Sequence, residues 1–572
     1  MKYETIINTL IAAGFIASSN SLLANEAYLN NGTVFVEDKN SLPIQVVDAY
    51  EVVPANQDDQ DQAAKIKARL DEIVLEEKVA VRAANGFYVE RKSYGTGRET
   101  EPPRYVRQLN KTWLKDFDAF EDVDWLDIGL DYRLRYETRD NDFRRGRDTI
   151  DEPILLRTRG FVAIKNILDP LRFTLEVEDA RRNHSQFTRE FDTRDVNYVE
   201  PIQAYAELYF KQTPLGKDDL GNDRPISVRA GRHAFEYTDR RLLARNEWRN
   251  TTNNFQGIRT VIGQQKNDWQ LDLLALKPVQ RFTEKLDEVD HSQNFYGVIG
   301  DWRRWSEVVT LQPYYYLLKQ DGGEVKYTQN GSPIAANQKI DREIHTAGLR
   351  AYGVLGKSGF DYDASYAKQW GNQDRLNNAG RFIAELDHDA YAYNAEIGYS
   401  IKHPWKPRFS AFYGVASGDK NATDGKNERF ERLFGFARPW SNNDYFQMEN
   451  LQAPKVRVEF EPQVSWLEGL KVDAGYSWYY LDSARDRWNN ASLRDNRGLS
   501  GKDVGEEVDV RVRFPINKYI GMNLGYAHFW AGDFTKETTA RAGAPTGGTN
   551  QADPNRRDHS NFFYTEISIT AF

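Results

Sequence analysis

The chain has 572 residues, 28% of them charged and 13% aromatic, with a net charge of -9 and no cysteine; its mean hydropathy is -0.71. The missing cysteines exclude a disulfide scaffold, thiol catalysis and cysteine metal sites, and the acidic balance is unlike the basic face that nucleic acid needs. No stretch beyond the N-terminus holds ~18 consecutive apolar residues, which excludes transmembrane helices but not a membrane barrel, whose strands hide half their polarity in a lumen.

Residues 1–24 read as a secretory signal peptide: Lys2 supplies a positive start, "LIAAGFIASSNSLLA" the apolar stretch, and Ala24 or Ala27 a small residue at its end. A buried N-terminal helix is the alternative. Residues 25–120 read as a periplasmic extension. Within it "QDDQDQAAKIKARLDEIVLEEK" places Ala63, Ile66, Leu70, Ile73 and Val74 on one helical stripe, with Asn85-Gly86 as the stop. That amphipathic helix either packs on its own domain or docks a periplasmic assembly partner. "NQDDQDQ" lacks the glycine and terminal glutamate of a calcium loop, and "GTGRETEPPRYVRQ" reads as a linker.

From residue 121 to 572 the pattern is alternation. In "WLDIGLDYRLRYETRD" Leu126, Ile128, Leu130, Tyr132, Leu134 and Tyr136 share one face of an extended strand, and Asp127, Asp131, Arg133, Arg135 and Glu137 share the other. "LRFTLEVE", "KVRVEFE", "LKVDAGYSWYY" and "EVDVRVRF" repeat it. About 18 such segments fit between Trp125 and Phe572, roughly 25 residues each with a connection, as membrane-spanning strands of ~10 residues require. The connections alternate in length: "RDNDFRRGRDTIDE" is long, "NILDP" short, "DARRNHSQFTREFDTRDVNYVE" long; "KQTPLGKDDLGNDRP" alone is long where a short one is due. A transmembrane antiparallel β-barrel of about 18 strands, all-β, sends long loops outward and tight turns into the periplasm. Trp125, Tyr136, Trp478 and Tyr480 suit its aromatic girdles, and Phe572 a barrel's terminal phenylalanine, although Ile567 and Ile569 alternate out of phase with it.

In such a barrel the apolar face meets lipid and the charged face a water-filled lumen. Alternation then puts Arg133, Arg135, Arg157, Arg159, Arg172, Arg229, Arg457, Arg511 and Arg513 inward. Arginine stays ionised and offers a planar fork that matches a carboxylate, so a lumen lined this way attracts anionic solutes at several weak points, as conduction needs. The competing reading pairs these arginines with the inward acids Asp127, Asp131, Glu176, Glu178 and Asp509 across neighbouring strands. Eight scattered histidines form no HExxH motif, and no GxSxG elbow or phosphate loop is present.

Three stretches resemble the alginate export family of outer-membrane barrels: "VRAGRHAFEYTDRRLLARNEWRNTTNNFQGIR" (228–259), "VASGDKNATDGKNERFERLF" (415–434), and "VGEEVDVRVRF" with "GYAHFWAGDF". Gly231, Arg232, Arg241, Leu242, Trp248, Asn250, Gly257 and Arg259 carry the first and most specific of them. The resemblance implies an 18-stranded barrel that passes an anionic polyuronate through an arginine-rich constriction, with Arg232 and Arg259 on the anion path. Strict alternation from Val228 points Arg232 toward lipid, so a bulge near Gly231 must intervene if it is to line the pore. Trp248 and Asn250 lie in a long extracellular connection that either folds into the pore or is merely held together by them. The chain departs from the family pattern at His233, where glutamine is expected, and at Gln256, where aspartate is.

The expectation is an outer-membrane channel that passes an anionic polysaccharide or oligosaccharide, such as alginate or its oligomers, without cofactor, metal or covalent chemistry. A porin for small solutes and, less favoured, a barrel enzyme are the alternatives.

Overall fold

The computed structural model describes residues 24–30, 33–38, 44–46, 99–144, 150–186, 192–303, 308–328, 331–540 and 556–572. Of the signal peptide expected over residues 1–24 all but Ala24 lies outside them, as does the amphipathic helix expected over residues 57–86. The chain divides into two compact units, Met1–Val81 and Arg82–Phe572. In the first, Ala24–Asn30, Thr33–Asp38 and Ile44–Val46 form a three-stranded antiparallel sheet.

The second unit is a closed barrel of 18 long antiparallel strands. The first six are β1 (Leu126–Asp140), β2 (Ile154–Ile164), β3 (Leu171–Asn183), β4 (Asn197–Phe210), β5 (Ile226–His233) and β6 (Phe255–Gly263). Then come β7 (Trp269–Gln280), β8 (Gln293–Trp302), β9 (Thr310–Gln320), β10 (Arg342–Val354), β11 (Phe360–Leu376) and β12 (Phe382–Ser400). The last are β13 (Arg408–Ala416), β14 (Leu451–Phe460), β15 (Lys471–Tyr480), β16 (Asp503–Pro515), β17 (Ile520–Ala531) and β18 (His559–Thr570). Each long strand pairs with its sequence neighbours, and β18 closes on β1 from Asn561↔Asp140 to Thr570↔Asp131.

Burial is inverted relative to a water-soluble sheet. Leu130, Val162 and Ile258 are 45%, 45% and 51% exposed, while Arg135, Arg159 and Glu178 are at 2%, 1% and 0%. The exposed band is what lipid covers, and the closed ladder leaves no backbone edge within it. The charged phase is buried because loops and the residues before β1 fill the lumen.

The alternation of connections follows the expected pattern, with two local departures. The 211–225 turn is long but compact: Asp218 accepts the Leu220 and Asn222 backbone N–H groups at 3.0 and 2.9 Å and the Asn267 amide at 2.7 Å. At the opposite end residues 377–381 make a short link, because β11 and β12 run for 17 and 19 residues and carry the sheet outward themselves. At the chain's end β18 stops at Thr570; Phe572 leaves the alternation and stacks on Trp113 at 6.2 Å between ring centroids.

Residues 99–120, read from sequence as part of the extension, fold with the barrel. Val106–Gln108 pairs with Gly129–Asp127 of β1, just beyond the end of β18. Gly129 makes this possible: a Cβ there would stand 2.8 Å from the Tyr105 ring and 2.9 Å from the Val106 side chain.

Candidate functional site

The β5–β6 connection, residues 234–254, turns into the lumen and is gripped by the arginines of β1 and β2. Arg133 donates to the Glu247 and Arg249 carbonyls at 2.8 and 2.7 Å, and Arg135 to the Trp248 carbonyl at 2.7 Å. Arg157 reaches the Glu247 carbonyl at 3.2 Å, and Arg159 the Glu247 carboxylate at 2.6 Å. Trp248 lies between two guanidiniums, Arg135 at 4.0 Å and Arg438 at 3.5 Å from the ring centroid, with its edge on Tyr564. Asn250 is fully buried; its amide donates to the carbonyls of Leu156, Arg181 and Asp195 at 2.9, 3.1 and 2.8 Å, and its oxygen accepts from Arg133. The connection thus folds into the pore, and these two residues also hold it there.

The β13–β14 connection, residues 417–450, enters beside it. The Phe434 N–H donates to the Leu242 carbonyl at 2.9 Å, and the Ala244 N–H to the Phe434 carbonyl at 3.3 Å. This approach needs Gly435, since a Cβ would lie 1.7 Å from the Arg241 carbonyl oxygen. Arg241 pairs with Asp239 at 2.9 Å and lies near the Phe412 and Trp440 rings. Phe446 stacks on Tyr479 at 3.9 Å and on Trp488 at 5.0 Å, so an apolar cluster anchors the connection inside the barrel.

From the other end residues 99–105 enter the lumen. Glu101 takes up a position between Arg229 of β5, at 2.8 Å, and Arg259 of β6, at 2.9 Å. Arg229 also pairs with Glu207 at 2.9 Å, and Arg259 with Asp272 at 3.2 Å and the Tyr237 hydroxyl at 2.8 Å. Enclosure in the lumen works against a charge on Glu101, but Arg259 and Arg229 outweigh it and hold its carboxyl down to about 2. Tyr105 donates to Glu176 at 2.6 Å, and Arg245 grips the same carboxylate. A cavity of 210 Å³ opens here, lined by Glu101, Glu207, Arg172, Arg229 and Arg245 among others.

The remaining wall arginines are paired. Arg457 bridges Asp473 and Asp509 at 2.8 and 2.6 Å, Arg511 and Arg513 both reach Asp473 at 3.1 Å, and Arg172 binds Asp169 at 2.7 Å. Arg157 faces Asp131 at 3.5 Å, and Arg159 faces Glu178 at 2.8 Å. Arg232 requires a correction. β5 pairs with β4 and β6 through this residue without a register shift, so no bulge turns it inward and its backbone keeps the outward phase. Its guanidinium runs past the strand end to Glu200 and to the Asp287 carbonyl. The neighbouring Gly231 and Gly257 have φ of 141° and 150°, and a Cβ on either would lie 2.3 Å from a carbonyl oxygen of the adjacent strand.

A second group of arginines, absent from the sequence-derived set, comes from the loops. Arg144, Arg194 and Arg249 line one crevice with Arg135, Arg139, Asp195 and Asp444. Asp444 lies 3.3 Å from Arg144 and 3.7 Å from Arg249. Burial, then repulsion from Arg249 and Arg144, keeps the Arg194 guanidinium well below the usual arginine range. Burial and Arg249 likewise lower Arg281 to about 10, and Arg432 acts on the same group. Beyond it a cavity of 610 Å³ is lined by Arg342, Arg375, Arg429, Arg432, Arg487 and Arg494 with Asp374, Asp419, Glu431 and Glu449. No periodicity phases a loop residue; the density of arginine in "FRRGRD" and "NERFERLF" could have flagged Arg144, Arg429 and Arg432.

This architecture, a closed transmembrane barrel with a charged, loop-filled lumen, defines an outer-membrane channel. The alginate export family model matches residues 124–548, and the chain belongs to that family. It is a protein of the outer membrane. Among curated proteins there is no match. Solved structures from Pseudomonas aeruginosa are similar in fold. The outer membrane protein OpdK has 11% identity and a TM-score of 0.47 over 78% of this chain and 98% of its own. OccK8 (OprE) has 14% identity and a TM-score of 0.46 over 79% and 98%.

Proposed function

We propose that the channel passes an anionic polysaccharide such as alginate, or its oligomers, passively along an arginine-lined lumen. The observation that carries this reading is the loop-built cluster in which Arg144 and Arg249 share Asp444 at 3.3 and 3.7 Å, while Arg249, Arg144 and Arg432 repel Arg194, and Arg249 and Arg432 repel Arg281. Guanidiniums pushed together at a cost in repulsion gain most from an incoming carboxylate. On either side the paired wall arginines offer exchangeable contacts, and weak repeated binding suits a conducted polyanion better than one deep site. His233, His345 and His388 bond to the Gly257 carbonyl, Glu343 and Gln369, which lends nothing to a barrel enzyme.

A porin for small anions is the second reading, favoured by separate cavities of 210 and 610 Å³ on the two sides of the inward loops. Single-channel conductance in a planar bilayer separates the two. Block by an oligouronate but not by a neutral oligosaccharide of matched length, relieved by high salt and weakened in R249A and R432A, is the expected result. Equal indifference to both sugars would leave the porin reading.

A further inference from the structure

The lumen carries a carboxylate that belongs to no wall strand. Glu101 reaches Arg229 and Arg259 from a segment that enters the barrel before β1, and both guanidiniums aim an Nη1 at it. Its Oε2 lies 2.8 Å from Arg229 and 2.9 Å from Arg259, and its Oε1 2.9 Å from Arg259. The two arginines are positioned without it: Glu207 holds the Nε of Arg229, while Tyr237 and Asp272 hold the Nε and Nη2 of Arg259. What Glu101 occupies is therefore a preformed fork of two converging donors, each with one wall carboxylate already in place. That balance weakens its hold on a further anion, as suits one that must be released.

We propose that Arg229 and Arg259 form a subsite for the carboxylate of a uronate, and that Glu101 occupies it as the chain's own surrogate until a passing solute replaces it. This rests on the polyanion reading above. The segment is built for such an exchange. Its C-terminal end is anchored by the Val106–Gln108 pairing with β1 and by Tyr105 on Glu176. Ahead of that anchor, among the described residues, Glu101 meets the wall at Arg229 and Arg259, and the Glu99 N–H donates to Glu236 of the β5–β6 connection at 2.8 Å. Arg104 and Thr100 bond back to Glu99, within the segment itself. Glu101 is 38% exposed and lines the 210 Å³ cavity, so a solute carboxylate can approach before the resident one has left.

The test compares the wild-type chain with Glu101→Gln and Glu101→Asp in planar bilayers, using sodium glucuronate and a short oligomannuronate as probes. Removing the competitor lowers the half-blocking concentration of both probes by about tenfold, since a site held by its own surrogate binds at only its free fraction. Glu101→Asp keeps the charge and is expected to block as wild type does. Arg259→Gln added to Glu101→Gln should abolish the gain, and heat-modified gel mobility confirms that each barrel is closed. An unchanged glucuronate block in Glu101→Gln would overturn the subsite, even if the oligomer still blocks the wild type. Conversely, a gain with glucuronate where the oligomer never blocks would support the subsite while removing the polymer reading.

Discussion

Asn250 donates its amide to three carbonyls that belong to β2, β3 and the connection between β3 and β4. Asn250→Ala leaves these acceptors unsatisfied in a buried place and should lower unfolding stability by ~1–3 kcal/mol. Asn250→Asp sets a carboxylate against the same carbonyls and should cost more, both read from urea midpoints. Glu101 gives a pH dependence with a definite sign. Against burial, Arg259 and Arg229 hold its carboxyl down from 4.5 to about 2, so the charge pair stabilises the inserted segment fully above pH ~4.5 and is lost as the pH falls toward 2. Conductance at low salt should therefore rise on acidification through that window, and should do so much less in Glu101→Gln. The inward phase of Arg133, Arg135, Arg157 and Arg159 is legible in the sequence because strand side chains alternate with a period of two. Their partners are not, since Glu247 and the Trp248 carbonyl lie in a connection that no period places.

The inward connections, residues 234–254 and 417–450, lie in the lumen, and deleting one tests whether it obstructs the path. Replacing residues 420–447 by a short glycine-serine link removes Phe434, Trp440 and Phe446 from the lumen, and conductance should rise several-fold while the barrel still shows heat-modifiable mobility. A conductance equal to that of the wild type would show that this connection does not obstruct the path. The glycines facing one another on β5 and β6 are tested separately. Gly257→Ala meets a carbonyl oxygen at 2.3 Å and a φ that side chains rarely adopt, at ~1–3 kcal/mol of strain, so its folded band should melt at lower temperature. Strand number and the long-short alternation of connections were readable because both follow from membrane thickness and barrel geometry. Arg232 was readable only as a conditional: its phase said outward, its motif said pore, and the unshifted register of β5 decides for the phase.

At the scale of the whole molecule, the arginines gathered in the lumen are tested as a field rather than as a set of contacts. Raising ionic strength from 0.1 M to 1 M shortens the screening length from about 10 Å to about 3 Å, and selectivity for anions, measured as a reversal potential, should fall accordingly. If selectivity is independent of salt, the loop arginines do not act on the permeant ion. The sequence foretold the barrel but left the lumen open, because composition and periodicity describe a strand's two faces and not which chain segment comes to lie against the inner one.

The seam between the first and last strands bears on how such a molecule is made. Trp248 rests on Tyr564 of β18 as well as on Arg135 of β1, and Glu566 of β18 completes the charge pairs of Arg133 and Arg135. The inward β5–β6 connection therefore has only part of its seat until the final strand arrives. Finishing the cylinder and sealing it become one event, so that an assembly intermediate carries an unseated, protease-accessible loop. Cleavage within residues 234–254 should mark unfinished copies and spare mature ones, giving quality control a handle that the completed barrel hides.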